Sequence, residues 1–459
     1  MSRKLSRRGF LGLGAMTAGM AALSACGAAA TPQVIEKEVT VIVEGTPQIV
    51  KETVIVETVK EVSTGFVTLR APYAPGYNER EMFDLFEALY DEIKVLPEET
   101  PGGTTGYEQR TLADIAAGTF PDVWYVHPNF YTALASRDAL LPVNEWMVRD
   151  NFDSDNLFPA ALDVFSWRGD IHGLPYGCNT QFFVYNKGFL GERGMVDPNE
   201  LESAGNWNWT TLLEELLKAT GGEGLEATLG VWSINIERLT WVCAWIWSAD
   251  GNVYDEALTR CLLDEPEARE ALQYLADMFV VHKVAPAGPV AATYPDGFNS
   301  GRVAYTLGAR VSFYLNAARD NPLDLGCISM PVGPRGSRFT RGGWDGFAIP
   351  RGSPHPEEAW KLLQFLVGDD CQKTLLKSSM PFTHSIFDSE DFVAVLAPGE
   401  DIGVYRASVA MHRNLLLPGR HNEVDQVYRS EIEGVKLGEI TLDEAIPNIV
   451  TKANEILAS

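Results

Sequence analysis

Short strand-like and helical patterns alternate between residues 66 and 126, and this alternation constrains the fold more than any other feature of the sequence. Strands are predicted from short apolar runs and helices from apolar side chains at helical spacing, in the order 67–69, 79–89, 93–96, 110–117 and 120–126. Strands that alternate with helices indicate a parallel sheet, in which ligands bind beyond the carboxyl ends of the strands. The expected fold class is therefore α/β.

A second constraint is the apolar and aromatic run Gln181–Tyr185, which predicts a buried strand. Gly173, Pro175 and Gly177 precede this run, so we expect the chain to reach the strand through a turn. Helical patterns then resume, and helices are predicted over 238–249, 266–282 and 356–367. A chain of 459 residues is long enough for two or three domains of this kind.

The charge and the cysteine count exclude several classes of protein. The formal net charge of −25 argues against a nucleic-acid partner, because the chain would repel phosphates. The six cysteines form no C-x-x-C pair, and five remain once Cys26 is set aside as part of the export signal described next. An odd number favours buried thiols over disulfides or a metal site. We expect no cofactor and no metal.

Residues 1–26 have the features of an export signal. A basic start precedes a weakly apolar run, Phe10–Leu23, which is shorter than the roughly 20 apolar residues that span a bilayer. Ser6–Leu11 resembles the twin-arginine export signal, and Leu23–Cys26 resembles a lipobox. In lipoproteins of that kind the cysteine carries the lipid, so we expect Cys26 to anchor the protein to the membrane. The alternative is a degenerate transmembrane start.

Residues 27–64 form a low-complexity segment rich in valine, isoleucine and threonine, which favour extended backbone. The segment contains no aromatic residue that could anchor a core. We expect an extended tether that reaches at most roughly 3.3 Å per residue. The alternative is a strand that pairs with another chain, because the segment is β-prone.

Several short phrases further along the chain resemble one known family in their order and spacing. They are Ala117–Thr119 with Pro121–Asp122, then Leu140–Trp146, Phe298–Tyr305 and Thr441–Ala445. Residues 66–457 resemble the sugar-binding family (family 1 type) of bacterial extracellular solute-binding proteins, which serve ABC importers. The resemblance implies a periplasmic-binding-protein-like fold of type II topology, in which several crossings join two α/β lobes around a ligand cleft. In that family the stretch 169–190 is a crossover between the lobes.

The resemblance also gives expected domain boundaries. They are a signal peptide over 1–26, a tether over 27–64, lobe 1 over 66–175 plus 341–368, and lobe 2 over 176–340 plus 369–459. Two lobes joined by a few extended crossings can hinge. A ligand that touches both lobes then favours the closed state.

Candidate ligand-binding residues lie on loops of the expected cleft. Sugar hydroxyls need hydrogen-bonding groups and sugar rings pack on aromatic faces, so both kinds of side chain are sought. Trp344 and Asp345 follow a double glycine at a predicted crossing, and the resemblance places Asn179 at the cleft. The candidates are Tyr73, Asn78, His127, Asn129, Tyr176, Asn179, Trp232, Arg238, Trp241, Arg310, Trp344 and Asp345. The alternative for each aromatic is a place in the core, and for His127 a capped loop.

Arg310 and Arg238 fall in neighbourhoods where the resembled family offers an aromatic side chain. A guanidinium forms bidentate pairs with carboxylate or phosphate, which raises the hypothesis of an acidic ligand such as a uronic acid or a phosphorylated glycerol. The alternative is an internal salt bridge to one of the 62 acidic residues.

The expected function is that of a lipid-anchored, extracytoplasmic receptor, monomeric and without enzymatic activity, that captures a carbohydrate for an ABC importer. The importer's permease subunits are partners implied by the resemblance alone. The sequence contains no G-x-S-x-G, H-E-x-x-H or phosphate-binding glycine motif. The alternatives are a receptor for a peptide or polyamine, and a surface-anchored glycan-active enzyme or adhesin.

Overall fold

The computed structural model describes residues 33–43, 46–56, 66–73, 79–101, 103–294, 296–308, 310–317 and 323–458. The chain divides into two compact units, residues 1–65 and residues 66–459. The expected signal peptide, including Cys26, lies outside the described residues. Within the described ranges, no helix has both the length and the apolar character needed to cross a membrane.

In the first unit, two strands form an antiparallel pair: β1 (Gln33–Val43) and β2 (Thr46–Val56). Their register joins Gln33 to Val56 at one end and Val43 to Thr46 at the other. The extended backbone predicted for this segment is thus present, but the two strands pair with each other, because a short connection between two β-prone runs favours a hairpin.

In the second unit, the elements up to residue 180 are β3 (Val67–Tyr73), α1 (Glu79–Leu89), β4 (Ile93–Glu99), α2 (Gly103–Ala117), β5 (Trp124–Val126), α3 (Pro128–Ala135), α4 (Asn144–Arg149), α5 (Pro159–Asp163), β6 (Ser166–Trp167), β7 (Asp170–Ile171) and β8 (Gly173–Thr180). The turn expected before the buried run is therefore a strand, β8. Pro175 is tolerated there because β8 has only β13, given below, as a ladder partner among the described strands.

From residue 182 to residue 328 the elements are β9 (Phe182–Asn186), α6 (Lys187–Glu192), α7 (Pro198–Ser203), α8 (Trp209–Ala219), β10 (Leu229–Trp232), α9 (Leu239–Ser248), α10 (Pro266–Val280), β11 (Val303–Gly308), α11 (Val311–Ala317) and β12 (Leu325–Ile328). The remainder comprises β13 (Thr340–Ala348), α12 (Pro356–Val367), α13 (Asp369–Leu375), α14 (His384–Phe387), α15 (Glu390–Ala394), α16 (Ile402–Ala410), β14 (His412–Arg413), α17 (His421–Leu437) and α18 (Leu442–Ala458). Short 3-10 helices lie at Ser154–Asn156, Gly224–Glu226, Gly288–Thr293 and Gly297–Ser300.

The alternation of strands and helices predicted a sheet that is parallel throughout. The sheets are instead mixed. β3 and β4 pair in parallel. β13 instead runs antiparallel to both β5 and β8 and parallel to β14. The other sheet has the order β10-β11-β9-β12, in which β9 is antiparallel to both of its neighbours. The returning strand β13 comes from the far end of the chain, and this distant pairing leaves no local sequence signal.

Two clusters of buried side chains define two lobes. The first cluster takes most of its members from residues 69–178 and 344–409, and the second from residues 183–330 and 417–453. Strand β9 contributes to both, because successive residues of a strand point to opposite faces. Phe182 and Val184 lie in the first cluster, and Phe183 and Tyr185 lie in the second.

The C-terminal fifth of the chain differs from the expected boundaries, which assigned 369–459 to the second lobe. The buried side chains of 371–409 lie in the first cluster, and only those from Leu417 onward lie in the second. The physical reason is that α13 packs against α1, α12 and β8, all of which belong to the first lobe. The chain therefore crosses between the lobes near residues 410–417.

Five cysteines, Cys178, Cys243, Cys261, Cys327 and Cys371, are buried and free. The prediction of buried thiols is thus confirmed for these residues. Burial raises the pKa of the Cys261 thiol to about 11, so this thiol stays protonated at neutral pH. The described residues hold no group of three or more His, Cys, Asp and Glu side chains arranged for a metal ion.

Candidate functional site

A cavity of about 330 Å³ lies beside the paired ends of β8 and β13, where the chain crosses between the lobes. The first lobe contributes a loop residue after β5, and the second lobe contributes residues from α9 and β11. The lining residues are His127, Asn179, Thr180, Gln181, Trp241, Gly308, Arg341, Gly343 and Asp345. The cavity therefore combines one aromatic ring with amide, hydroxyl and charged groups, the composition expected of a site for a small polar molecule.

Strand β13 supplies one wall of the cavity through every second residue. Arg341, Gly343 and Asp345 line the cavity, as the two-residue period of a strand requires. Trp344 points to the opposite side and is fully buried, with its ring 5.9 Å from that of Phe382. The strand thus separates the polar wall of the site from the core of the first lobe.

Asp345 and His127 form the first-lobe end of the cavity. The Tyr125 hydroxyl donates a hydrogen bond to Asp345 Oδ1, which fixes the carboxylate. His127 caps helix α3, and its Nδ1 accepts a hydrogen bond from the backbone N–H of Asn129 at 3.1 Å. Burial lowers the pKa of His127; Asp345 opposes that shift and Arg341 adds to it. His127 is therefore neutral at pH 7 and offers its other ring nitrogen as a hydrogen-bonding group.

Arg341 lies where the second lobe meets the cavity. Its guanidinium carbon is 4.5 Å from the centroid of the Trp241 ring, a cation–π stack. Its Nη1 donates to the carbonyl oxygen of Thr240 at 3.3 Å. Its Nε is buried and has no hydrogen-bond partner among the described residues. Burial lowers the pKa of Arg341, although arginine remains charged at any pH a protein meets.

Gln181 lies in the crossing itself, between β8 and β9. Its backbone N–H donates to Thr340 Oγ1 at 3.2 Å, and its carbonyl oxygen accepts from the same hydroxyl at 2.8 Å. The side chain is 3% exposed, and neither its amide nitrogen nor its amide oxygen has a partner within the described part of the chain. Buried polar groups are normally hydrogen-bonded, so this amide is available for a ligand.

A smaller cavity of about 30 Å³ adjoins the first. The two share His127, Arg341 and Gly343. The smaller cavity also contacts Asn129, at the start of α3, and Arg413, in β14. The polar surface at the crossing therefore extends beyond the main cavity.

Four residues predicted from the sequence line the main cavity together: His127, Asn179, Trp241 and Asp345. A fifth, Asn129, lines the smaller cavity. Asn78 lies outside the described residues.

Two predicted residues belong to the core. Trp344 is 0% exposed and its neighbour Asp345 takes the cavity side of the strand. Tyr176 is also 0% exposed; its hydroxyl donates to Glu79 Oε1 at 3.1 Å, and its ring lies 5.2 Å from that of Phe347. Both occupy positions of β8 and β13 that face the first cluster of buried side chains, so both predictions are corrected.

Three further predicted residues lie away from this cavity. Tyr73 packs its ring edge-on to Phe83 at the end of β3, at 6.1 Å between centroids. Trp232 packs beside Tyr294 at the end of β10, at 6.2 Å. Arg238 is exposed at the start of α9 and does not line the cavity.

The hypothesis that Arg310 binds an acidic ligand is wrong, because the side chain is buried in an internal ion pair. Its side chain is 2% exposed, and Nη2 lies 2.7 Å from Glu400 Oε2. Nη1 also donates to the carbonyl oxygen of Leu376. The alternative named for Arg310, an internal salt bridge, is the one observed.

Sequence reasoning missed Thr180, Gln181, Gly308, Gly343 and Arg341 as lining residues. A signal existed for two of them. Once Asp345 is placed on the cavity side of an extended strand, the two-residue period brings Gly343 and Arg341 to the same side. The pairing partner of Arg310 leaves no such signal, because Glu400 is 90 residues away in the sequence.

The chain is similar to known binding proteins along most of its length. The family described as bacterial extracellular solute-binding protein matches residues 71–373. A binding protein of Brucella abortus (strain 2308) is 24% identical over 388 residues, which cover 80% of this chain and 89% of the relative. The arabinooligosaccharide-binding protein of Halalkalibacterium halodurans is 26% identical over 221 residues, which cover 47% of this chain and 43% of that protein.

Among solved structures, an ABC substrate-binding protein of Listeria monocytogenes in complex with cycloalternan has a TM-score of 0.72 at 19% sequence identity. The superposition covers 86% of this chain and 99% of the Listeria chain. The expected periplasmic-binding-protein-like fold with two α/β lobes is confirmed by this likeness. The family match spans both lobes and the first two crossings between them. The chain therefore belongs to the bacterial extracellular solute-binding protein family.

Proposed function

We propose that the protein captures a carbohydrate in the cavity between its lobes and delivers it to the permease of an ABC importer. The observation that carries this proposal is that one cavity is lined by the Trp241 ring, the Asp345 carboxylate and the Gln181 side-chain amide, which has no partner among the described residues. A sugar ring packs on an aromatic face, and its hydroxyls bind carboxylate and amide groups. The arabinooligosaccharide-binding relative supports the choice of ligand class.

Hinged closure follows from the way the lobes are joined. The crossings at 180–182 and 338–341 run side by side and are tied by the hydrogen bonds between Gln181 and Thr340. A ligand in the cavity touches His127 of the first lobe and Trp241 of the second. Because it contacts both walls only when they are close, the ligand stabilises the closed state.

Several finer features belong to the same proposal. The protein leaves the cytoplasm by the twin-arginine route, is lipid-anchored through Cys26, acts as a monomer and catalyses no reaction. The membership of an extracellular family supports the export route, and Cys26 follows a lipobox-like run. Replacement Cys26→Ser tests the anchor, because the variant should move from the membrane fraction to the soluble fraction while retaining the same fold.

Isothermal titration against a panel of neutral and acidic oligosaccharides tests the carbohydrate proposal. We expect at least one oligosaccharide to bind, and Trp241→Ala to weaken that binding by about tenfold or more through lost ring contact. Trp167→Ala is the matched control, since Trp167 lies outside the cavity against Arg168. The proposal is wrong if no member of the panel binds, or if the two variants weaken binding equally.

A further inference from the structure

We propose that the solute carries an anionic group, a carboxylate or a phosphate, and that this group pairs with Arg341. The inference rests on the proposed function of the cavity and specifies its ligand. It starts from the observation that Arg341 forms no ion pair with any described residue. Two other arginines with little solvent exposure do have carboxylate partners: Arg310 pairs with Glu400, and Arg338 pairs with Glu202.

An unpaired guanidinium in a partly buried site is costly unless its charge is balanced. The contacts that Arg341 does have are a carbonyl oxygen and an aromatic face, and neither carries a formal charge. The chain as a whole has a net charge of −25, so acidic side chains are abundant. None of the described carboxylates forms an ion pair with Arg341, which leaves a place for the charge of a ligand.

The guanidinium is also held in position for such a ligand. The Trp241 ring covers one of its faces, and the Thr240 carbonyl oxygen holds Nη1. The planar donor edge of a fixed guanidinium matches the two oxygens of a carboxylate or phosphate. Neutral sugar hydroxyls could use single donors, but they would leave the charge unbalanced.

Asp345 lines the same cavity but is not the partner of Arg341. The two residues are four positions apart on β13, about 13 Å along an extended strand. Tyr125 already donates to the Asp345 carboxylate. The cavity therefore has a cation at one end and a carboxylate at the other. A ligand with an acidic group at one end and hydroxyls at the other would satisfy both, with its acidic group at Arg341.

The test uses the whole mature protein and a defined equimolar pool of neutral oligosaccharides, oligogalacturonates and sugar phosphates. Captured ligands are identified by native mass spectrometry and their affinities are measured by titration. We expect an acidic member of the pool to bind, and Arg341→Gln to weaken it by about 30-fold or more. Arg341→Lys should recover only part of the affinity, because lysine lacks the planar fork. Uronate and phosphate members of the pool distinguish the two sources of charge.

Arg238→Gln is the matched control, because Arg238 is an exposed arginine near Arg341 that does not line the cavity. It should leave the affinity within about threefold, and circular dichroism should show all three variants folded. Capture of neutral oligosaccharides alone, with equal affinity in Arg341→Gln, overturns the inference and leaves the carbohydrate proposal intact.

An anion probe separates the two proposals when no oligosaccharide is captured. Inorganic phosphate should raise the melting temperature of the wild-type protein and of Arg238→Gln, but not that of Arg341→Gln. Arg341-dependent stabilisation without glycan capture supports the anion site and refutes the carbohydrate. If neither a glycan nor phosphate binds, both proposals are refuted.

Discussion

Arg310 and Glu400 form a bidentate ion pair in which both side chains are almost wholly excluded from solvent. Nη2 lies 2.7 Å from Oε2 and Nε lies 3.1 Å from Oε1, and the side chains are 2% and 0% exposed. The carboxylate also accepts from the backbone N–H groups of Ala397 and Ser312. Arg310 directly precedes α11, and Glu400 lies in the loop before α16. The ion pair therefore fixes the loop before α16 to the start of α11.

Breaking this pair from one side should destabilise the protein strongly. Glu400→Gln removes the charge that balances Arg310, and loss of one partner of a buried pair costs about 3–5 kcal/mol. Urea unfolding followed by circular dichroism measures the change. Asp388→Asn breaks the exposed pair with Arg406 and serves as the control, with an expected change within about 0.5 kcal/mol. Equal effects of the two variants would contradict the role assigned to burial.

Replacing Trp344 should affect mainly the stability of the protein, and replacing Trp241 should affect mainly ligand binding. Trp344→Ala leaves a large void in the first core, and we expect a loss of about 3–5 kcal/mol in the free energy of unfolding. Trp241 lies at the partly exposed wall of the cavity. Trp241→Ala should therefore lower the free energy of unfolding much less than Trp344→Ala does, while weakening ligand binding. Thermal unfolding and titration of each variant check the pair. If Trp344→Ala is as stable as the wild type but binds ligand less tightly, Trp344 is a ligand-binding residue and its assignment to the core is wrong.

Stability should fall as the pH drops below about 6.5, in part because of His412. Burial, reinforced by the nearby Arg341 charge, lowers the pKa of His412 to about 3 from its usual 6.5. Between those values the unfolded chain binds a proton that the folded protein does not, so acid favours unfolding. His412→Phe should keep the contact with Trp344 and reduce the slope by at most about 1.4 kcal/mol per pH unit.

The measurement is urea unfolding of wild type and His412→Phe at several pH values from 4 to 8. His421, whose pKa burial lowers to about 4, remains in the variant and should leave part of the slope. Above pH 7 the two proteins should show no difference in pH dependence. An unchanged slope between pH 4 and pH 6.5 would mean that His412 is accessible to protons in the folded protein.

Thr340 should stabilise the crossing at Gln181 through the hydrogen bonds of its hydroxyl rather than through the packing of its side chain. Thr340→Val keeps the side-chain volume but leaves the Gln181 N–H and carbonyl groups without their partner. Unsatisfied buried groups cost about 1–3 kcal/mol. Amide hydrogen exchange should show faster exchange at Gln181 in Thr340→Val and protection close to that of wild type in Thr340→Ser. Equal exchange in all three proteins would show that the hydroxyl does not hold the crossing.

Much of the fold was predictable because its signals are local. Helix α12 has the bounds predicted from its period and from Pro356 at its first turn. Helix α8 begins after Asn208, whose side chain caps Thr210 and Thr211. The antiparallel course of β13 was not predictable, because it depends on pairing with strands more than 160 residues earlier in the chain.

The lining of the candidate cavity was predictable where side-chain chemistry and loop position agree, as for His127 and Asp345. It was not predictable where two neighbours are equally plausible and only the strand face decides, as for Trp344 and Asp345. The two arginines show the same limit. Arg310 and Arg341 look alike in the sequence, and only the folded chain shows that Glu400 neutralises the first and not the second.

Strand β9 has a consequence for how the molecule can come apart. Because its alternate residues lie in different cores, unfolding of either core would expose one face of a strand on which the other core depends. Calorimetry of the folded unit should therefore show one cooperative transition rather than two. All five residues of β9 are buried, so we expect opening and closing of the lobes to turn the chain on either side of this strand rather than within it.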